Sequence, residues 1–90
     1  MTIGGTPTKL IERAKTEAAT LSRSAAESAQ LVSLEAVDWS DSSLGCPQAG
    51  MMYAQVITPG YKIVVAAGGK NYEFHTSLDP AGPLVYCDGK

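Results

Sequence analysis

Apolar residues within positions 6–29 recur every three or four residues, which is the spacing of one face of a helix. Five residues form this apolar stripe: Ile11, Ala14, Ala18, Leu21 and Ala25. We place Thr6 as the N-cap and Pro7 at the first helical position, where its missing N–H costs nothing. Ser24-Ala25-Ala26-Glu27 has the spacing of a capping box, so within the helical region 6–29 the chain either starts a second helical turn or bends within one longer helix. We favour a break at residues 22–24.

From residue 31 onward, apolar and polar positions alternate with the period of β-strands. Five segments are predicted as strands: Leu31–Trp39, Met51–Thr58, Tyr61–Ala67, Lys70–Ser77 and Leu84–Cys87. Residues 40–50 interrupt the pattern with Gly, Pro, Ser and Asp, which is typical of a long surface loop. We therefore predict an α+β fold, in which an N-terminal helix packs on a four- to five-stranded antiparallel sheet spanning residues 31–87.

Two turns set the predicted register. Gly68-Gly69 has the glycines of a two-residue hairpin turn, in which both residues adopt positive φ. Counting outward from this turn gives five cross-strand pairs: Val65 with Tyr72, Ile63 with Phe74, Tyr61 with Thr76, Lys62 with His75, and Val64 with Glu73. Pro59-Gly60 suits a type II turn, which would pair Val56 with Ile63.

Composition restricts the domain organisation and the partners. The 90 residues are 44% hydrophobic and 18% charged, which predicts a single domain, 1–90, whose residues 1–5 are flexible. The net charge is −2 and the basic residues are scattered, so no nucleic acid is expected as a partner. No apolar run approaches the roughly 20 residues that span a bilayer, so no membrane partner is expected either.

His75 is the only histidine, and we expect it to be a solvent-exposed strand residue two positions from Glu73. Hydrolytic and metal centres need several converging groups, so we predict no enzymatic activity, no metal and no cofactor. One alternative is an enzyme that uses His75, Glu73 and Asp41. Another is a calcium loop built on the Asp and Ser residues from Asp38 to Ser42. An EF-hand's glycine and distal glutamate are missing, so we expect these side chains to hydrogen-bond turn backbone.

The two cysteines lie far apart in sequence, Cys46 in the long loop and Cys87 at the end of the last strand. We favour a disulfide over two reduced, buried thiols, because a bridge between a loop and a chain end is geometrically easy. Two thiols and one histidine do not complete a structural zinc site. A disulfide would indicate an exported protein whose signal peptide has been removed, whereas a native start at Met1 would indicate the cytoplasm.

The stretch from Trp39 to Tyr61 carries the most specific motif of the chain. It reads WSDSSLGCPQAGMMYAQVITPGY and is followed by YEFH at residues 72–75 and by Cys87. This pattern resembles a family of small bacterial proteins, met in cyanobacteria among others, that share W-x-D-x-S-L-G-C-P, G-M-x-Y-x-Q-V, Y-E-Y-H and a last cysteine. Ala49 stands where a proline is usual, and Phe74 replaces an aromatic residue that has a hydroxyl group. The resemblance implies a cysteine pair and a domain of unknown function.

A second resemblance is to cystatins, the inhibitors of papain-like peptidases. Gly4-Gly5, the helix and the segment from Gln55 to Gly60 are similar to the glycine segment, helix and Q-x-V-x-G hairpin of cystatins, although the glycine comes one position late. The resemblance implies a hairpin wedge that inhibits a peptidase.

We therefore predict a non-enzymatic binding module, most concretely a peptidase inhibitor, that presents a loop to a protein partner. Eight residues are candidate binding residues: Leu44, Gly45, Cys46, Pro47, Gln48, Gln55, Pro59 and Gly60. The alternative is a structural or oligomerising domain that uses Tyr53, Ile57 and Val64 on an apolar outer face of the sheet. We expect a monomer or a weak homodimer.

Overall fold

A computed structural model describes residues 7–46 and 50–87, and the predicted N-cap Thr6 lies outside them. Within these residues lie one α-helix, a short 3-10 turn and four strands: α1 (Thr8–Ser22), the turn Ala26–Ser28, β1 (Gln30–Trp39), β2 (Thr58–Ala67), β3 (Lys70–Ser77) and β4 (Leu84–Cys87). The strands form one antiparallel sheet in the order β1-β2-β3-β4. The predicted α+β fold, one helix on an antiparallel sheet, is confirmed.

Helix α1 packs against one face of the sheet through small side chains. Ala14 and Ala18 are fully buried, so the helix backbone approaches the sheet closely. Leu10 and Ile11 supply bulk near the start of the helix. The sheet supplies most of the remaining core volume through six buried residues: Ile63, Val65, Ala67, Tyr72, Phe74 and, from the segment before β1, Ala29.

The ends of α1 differ in detail from the prediction. Pro7 occupies the N-cap rather than the first helical position. The predicted break is confirmed, because α1 stops at Ser22 and Arg23 turns into the left-handed region with a φ of 58°. Leu21 and Ala25 were predicted in the buried stripe, and this is wrong: Leu21 is exposed in the last turn of α1, and Ala25 is exposed because it lies beyond the end of the helix.

The β2–β3 hairpin has the predicted register, with all five expected pairs from Val65–Tyr72 to Tyr61–Thr76. Gly68 and Gly69 both adopt positive φ, as a two-residue turn of this type requires. The register therefore sends one set of side chains towards α1 and the alternate set to the opposite face of the sheet. We call that opposite face the outer face.

The side chain of Arg13 fastens the connection between β3 and β4 to the helix. Arg13 Nη1 donates hydrogen bonds to the carbonyl oxygens of Pro80 and Gly82, at 2.8 and 2.9 Å. These bonds help to position β4 and hence its last residue, Cys87, at the outer edge of the sheet.

The strand predicted at Met51–Thr58 does not form, and the turn predicted at Pro59-Gly60 is wrong. β2 already begins at Thr58 and includes both turn residues, with Trp39 of β1 directly opposite Thr58. The long strand β1 thus takes the edge of β2 that the predicted strand would have occupied. Residues 51–57 run outside the sheet as an irregular segment.

Gly60 is needed for a close approach of two strands rather than for a turn. A β-carbon at this position would lie 1.8 Å from the carbonyl oxygen of Thr76 on β3. The same oxygen accepts a hydrogen bond of 3.0 Å from the indole Nε1 of Trp39. Only a residue without a side chain allows this arrangement.

Replacing Gly60 with alanine should therefore lower the free energy of unfolding by about 3 kcal/mol, near the upper end of overpacking costs. Gly69→Ala is the matched control, because its β-carbon would meet open space and the cost is only the strain of positive φ, about 1 kcal/mol. Urea denaturation of both variants measures the difference. Equal losses would contradict the steric role of Gly60.

Candidate functional site

Five chemically distinctive side chains gather on the outer face and under the loop that follows β1: Trp39, Glu73, His75, Cys46 and Cys87. Strand alternation explains the placement of those on β3 and β4. His75 and Glu73 are two residues apart on β3, and Cys87 of β4 is paired with Glu73. Loop residues 40–46 then fold back over this face.

Trp39 and His75 stack at the centre of the cluster. Their ring centroids are 4.3 Å apart and the ring planes are inclined by 21°. The hydrogen bond from Trp39 Nε1 to the Thr76 carbonyl fixes the indole across β2, above Gly60. Because the two rings cover each other, both side chains are buried on a face that the helix does not cover.

Both ring nitrogens of His75 are engaged. Nδ1 lies 2.6 Å from the carbonyl oxygen of Leu44, and Nε2 lies 2.6 Å from Oε2 of Glu73. A carbonyl oxygen only accepts, so Nδ1 carries a hydrogen atom and donates it to Leu44, while Nε2 is hydrogen-bonded to the Glu73 carboxyl group. The prediction that His75 is solvent-exposed is wrong: its exposed fraction is 6%, because the loop after β1 closes over it.

The loop that closes over His75 is held by Asp41. Its carboxylate accepts hydrogen bonds from the backbone N–H and the hydroxyl of Ser43, and these bonds lower the pKa of Asp41 below its ordinary value. The backbone N–H of Cys46 then donates to the Ser43 carbonyl at 3.1 Å. The expectation that Asp and Ser side chains in this loop hydrogen-bond turn backbone is confirmed at Asp41.

Two consecutive left-handed residues bring the loop down onto the rings. Leu44 has a φ of 58° and Gly45 a φ of 74°. A β-carbon on Gly45 would lie 2.8 Å from Cζ3 of Trp39, so the glycine backbone rests directly against the indole. The same turn aims the Leu44 carbonyl at His75.

A disulfide between Cys46 and Cys87 closes the site, with Cα atoms 6.1 Å apart. The predicted cysteine pair is confirmed. Disulfides are typical of oxidising compartments, so the bridge indicates an oxidising location. Among the described residues, no helix is both long and apolar enough to cross a bilayer.

The same cluster contains potential metal ligands. The Sγ atoms of Cys46 and Cys87 and a ring nitrogen of His75 lie within 4.8 Å of one another. In the oxidised protein the sulfur atoms are bonded to each other and are not available as thiolates. The sequence has no metal-binding motif because these residues come from three separate elements.

The candidate binding residues are placed in different environments. Leu44 is buried, with an exposed fraction of 2%, and Gly60 is buried within the sheet. Gly45, Gln55 and Pro59 are exposed; Cys46 is half-buried in the disulfide, and Pro47 and Gln48 lie outside the described residues. Whether any of them contacts a partner stays a prediction.

Four exposed apolar side chains lie in the segment before β2: Met51, Met52, Val56 and Ile57. Sequence reasoning singled out Ile57 among them and missed the other three. We call residues 50–57 the exposed segment. It was missed because its composition is that of a strand, and only the pairing of β1 with β2 excludes it from the sheet. Two hydrogen bonds fasten it to the loop: Ser42 N–H to the Ala54 carbonyl, and Ala54 N–H to Ser42 Oγ, both 2.9 Å.

A family described as Domain of unknown function (DUF8738) matches residues 11–87. The chain belongs to this family. No curated protein and no solved structure matches the chain. The matched region contains the complete sheet, the loop and both cysteines, so the family is defined over the whole site described above.

Reduction of the Cys46–Cys87 bridge should lower the free energy of unfolding by roughly 4 kcal/mol, because the bridge joins residues 41 positions apart and restricts the unfolded chain. Urea denaturation with and without a phosphine reductant measures the loss, and intact mass should rise by two hydrogen atoms. The Cys46→Ser/Cys87→Ser double variant is the control. A wild-type stability that does not respond to reductant would contradict the prediction.

Asp41→Asn should remove a pH-dependent stabilisation. Because the pKa of Asp41 is lowered in the folded state, its stabilisation is present above the ordinary aspartate pKa of about 4 and is lost as pH falls through the folded value. The stability difference between wild type and variant should therefore shrink below about pH 4. Urea denaturation across acidic and neutral pH measures it, with Asp38→Asn as the control for loss of one negative charge. A difference that is independent of pH would contradict this assignment.

Proposed function

We propose that this chain is a non-enzymatic protein-binding module of an exported protein, and that it inhibits a peptidase by inserting the exposed segment into the peptidase's cleft. One observation carries the proposal: apolar side chains project from a segment that is fastened in its middle and at the end that enters β2. Exposed fractions reach 95% at Met52 and 67% at Ile57. Such side chains in one short segment are typical of an interaction site rather than of free surface.

The anchoring of the exposed segment favours binding. Paired hydrogen bonds between Ser42 and Ala54 hold the middle of the segment against the loop after β1. At its last residues the segment continues into β2, which begins at Thr58. Because this backbone is already held, less conformational entropy is lost when a partner binds.

A cleft is the surface that this segment fits best. The segment is short and lies outside the sheet, and its methionines adapt to the shape of apolar pockets. Peptidase clefts bind a peptide backbone and place its side chains in such pockets. The candidate binding residue Gln55 lies in the segment, and Pro59 follows it within β2. The hairpin turn on which the cystatin resemblance depended, Pro59-Gly60, is not formed, because both residues belong to β2.

The state of His75 supports a non-enzymatic role. Both ring nitrogens are already hydrogen-bonded, and one ring face is covered by Trp39. A general base needs a nitrogen that reaches substrate. Of the other two residues in the alternative enzyme site, Glu73 is bound to His75 and Asp41 is bound to Ser43.

Self-association is the second candidate function, and the edge of the sheet favours it. β1 is a ten-residue edge strand, and Leu31 and Val32 are exposed on it. An exposed edge can pair with the same strand of another copy. The outer-face patch predicted for this role is divided, because Tyr53 and Ile57 lie outside the sheet while Val64 lies within β2.

Inhibition assays against panels of serine and cysteine peptidases test the first proposal. We expect at least one peptidase to be inhibited, and Met52→Glu or Ile57→Glu to weaken inhibition by at least about tenfold, as for truncation of an interface hot spot. Leu78→Glu is the matched control, since Leu78 is an exposed leucine in a different connection. No inhibition across the panel, or equal effects of all three variants, would overturn the proposal.

Native mass measurement tests the second candidate function, which is self-association through β1. A dimer that is lost in Val32→Lys but kept in Met52→Glu would assign self-association to β1. A monomer at all concentrations would exclude it.

A further inference from the structure

We propose that the reduced form of this protein binds one Zn²⁺ ion through Cys46, Cys87 and His75, in place of the disulfide. The two sulfur atoms and a ring nitrogen of His75 already lie within 4.8 Å of one another. Cysteine thiolates and imidazole are the ligands that Zn²⁺ prefers. Three ligands from the protein leave a fourth position for a carboxylate or a water molecule.

The ligands come from elements that the fold holds together without the disulfide. His75 lies on β3 and Cys87 ends β4, and these strands are paired through His75–Val85 and Glu73–Cys87. Cys46 is held near them by the hydrogen bond from His75 Nδ1 to the Leu44 carbonyl oxygen and by the turn that Asp41 stabilises. Opening the S–S bond lets the sulfur atoms separate to about 3.8 Å, which tetrahedral Zn–S bonds of about 2.3 Å require.

Either ring nitrogen of His75 can bind the metal, because the other nitrogen then keeps its hydrogen-bond partner. If Nδ1 binds the metal, Nε2–H donates to the Glu73 carboxylate; if Nε2 binds it, Nδ1–H donates to the Leu44 carbonyl. Hydrogen bonds of this kind orient metal-ligating histidines and raise their affinity for the metal. Stacking on Trp39 restricts the ring further.

The charges of the site suit a divalent cation. Two thiolates neutralise Zn²⁺, and the Glu73 carboxylate adds a further negative charge and an oxygen that can fill the fourth position. Lys62 is paired with His75 across β2 and β3 and lies on the same face of the sheet. Cys46 is only half-buried, so the metal has a path from solvent.

The chemistry balances in two steps. A phosphine reductant breaks the S–S bond, takes oxygen from water to become a phosphine oxide, and leaves two thiols. Zn²⁺ then displaces the two thiol protons as the two Zn–S bonds form. The loop over the outer face is consequently held by a metal in the reduced protein and by a covalent bond in the oxidised protein.

The test titrates the reduced full chain with Zn²⁺ and Co²⁺ under argon in the presence of a phosphine. We expect one metal ion per chain, thiolate-to-cobalt charge-transfer absorption, and displacement of Co²⁺ by Zn²⁺. The oxidised protein and the reduced Cys46→Ser/Cys87→Ser variant should bind none at this site. Equal binding by the reduced wild type and the double variant would overturn the proposal, as would equal binding by native and urea-unfolded wild type.

The role of His75 is tested without relying on a variant that folds poorly. X-ray absorption of the zinc-loaded reduced wild type should show two sulfur ligands at about 2.3 Å and an imidazole nitrogen at about 2.0–2.1 Å. Glu73→Gln should weaken Zn²⁺ binding by about 10- to 100-fold, as for loss of a partner that orients a ligand. Glu35→Gln, an exposed carboxylate of β1 on the same sheet, is the matched control and should leave affinity unchanged. Absence of imidazole scattering would overturn the assignment.

Discussion

One helix can cover only one face of a four-stranded sheet, and the organisation of this domain follows from that constraint. Helix α1 covers the face that carries Ile63, Val65 and Phe74. The outer face has no second helix among the described residues, and the loop after β1 covers part of it instead. That loop packs on the stacked rings of Trp39 and His75, and a second, smaller buried cluster forms there.

The local sequence predicted those parts of the fold that depend on residues close together in the chain. The two glycines at 68 and 69 determine a tight turn, and a tight turn determines the register of the whole β2–β3 hairpin. Pro59-Gly60 shows the limit of this reasoning. This dipeptide is compatible both with a turn and with a position inside a strand. It lies inside β2 because β1 pairs with β2 there. That pairing joins residues far apart in sequence, so the local sequence does not predict it.

The candidate site was predicted only in part for the same reason. The cysteine pair was foreseeable because the chain has two cysteines, one in a long loop and one at the end of the last strand. The burial of His75 was not foreseeable. Alternation along β3 predicts the face of the sheet on which a side chain lies, but it does not predict whether a loop covers that face. The covering loop depends on positive φ at Leu44, a conformation that a leucine rarely adopts and that its sequence neighbours do not signal.

The disulfide divides the chain into two topologically different parts. Residues between Cys46 and Cys87 form a covalent ring that contains β2, β3 and β4, while α1 and β1 lie outside it. Within the ring, strand partners remain tethered even when the sheet opens. Helix and edge strand are retained only by noncovalent contacts, so they are the elements that can detach while the ring keeps its strands close together. Four of the ten buried residues of the main core, Leu10, Ile11, Ala14 and Ala18, thus lie on a helix that the covalent ring does not tether.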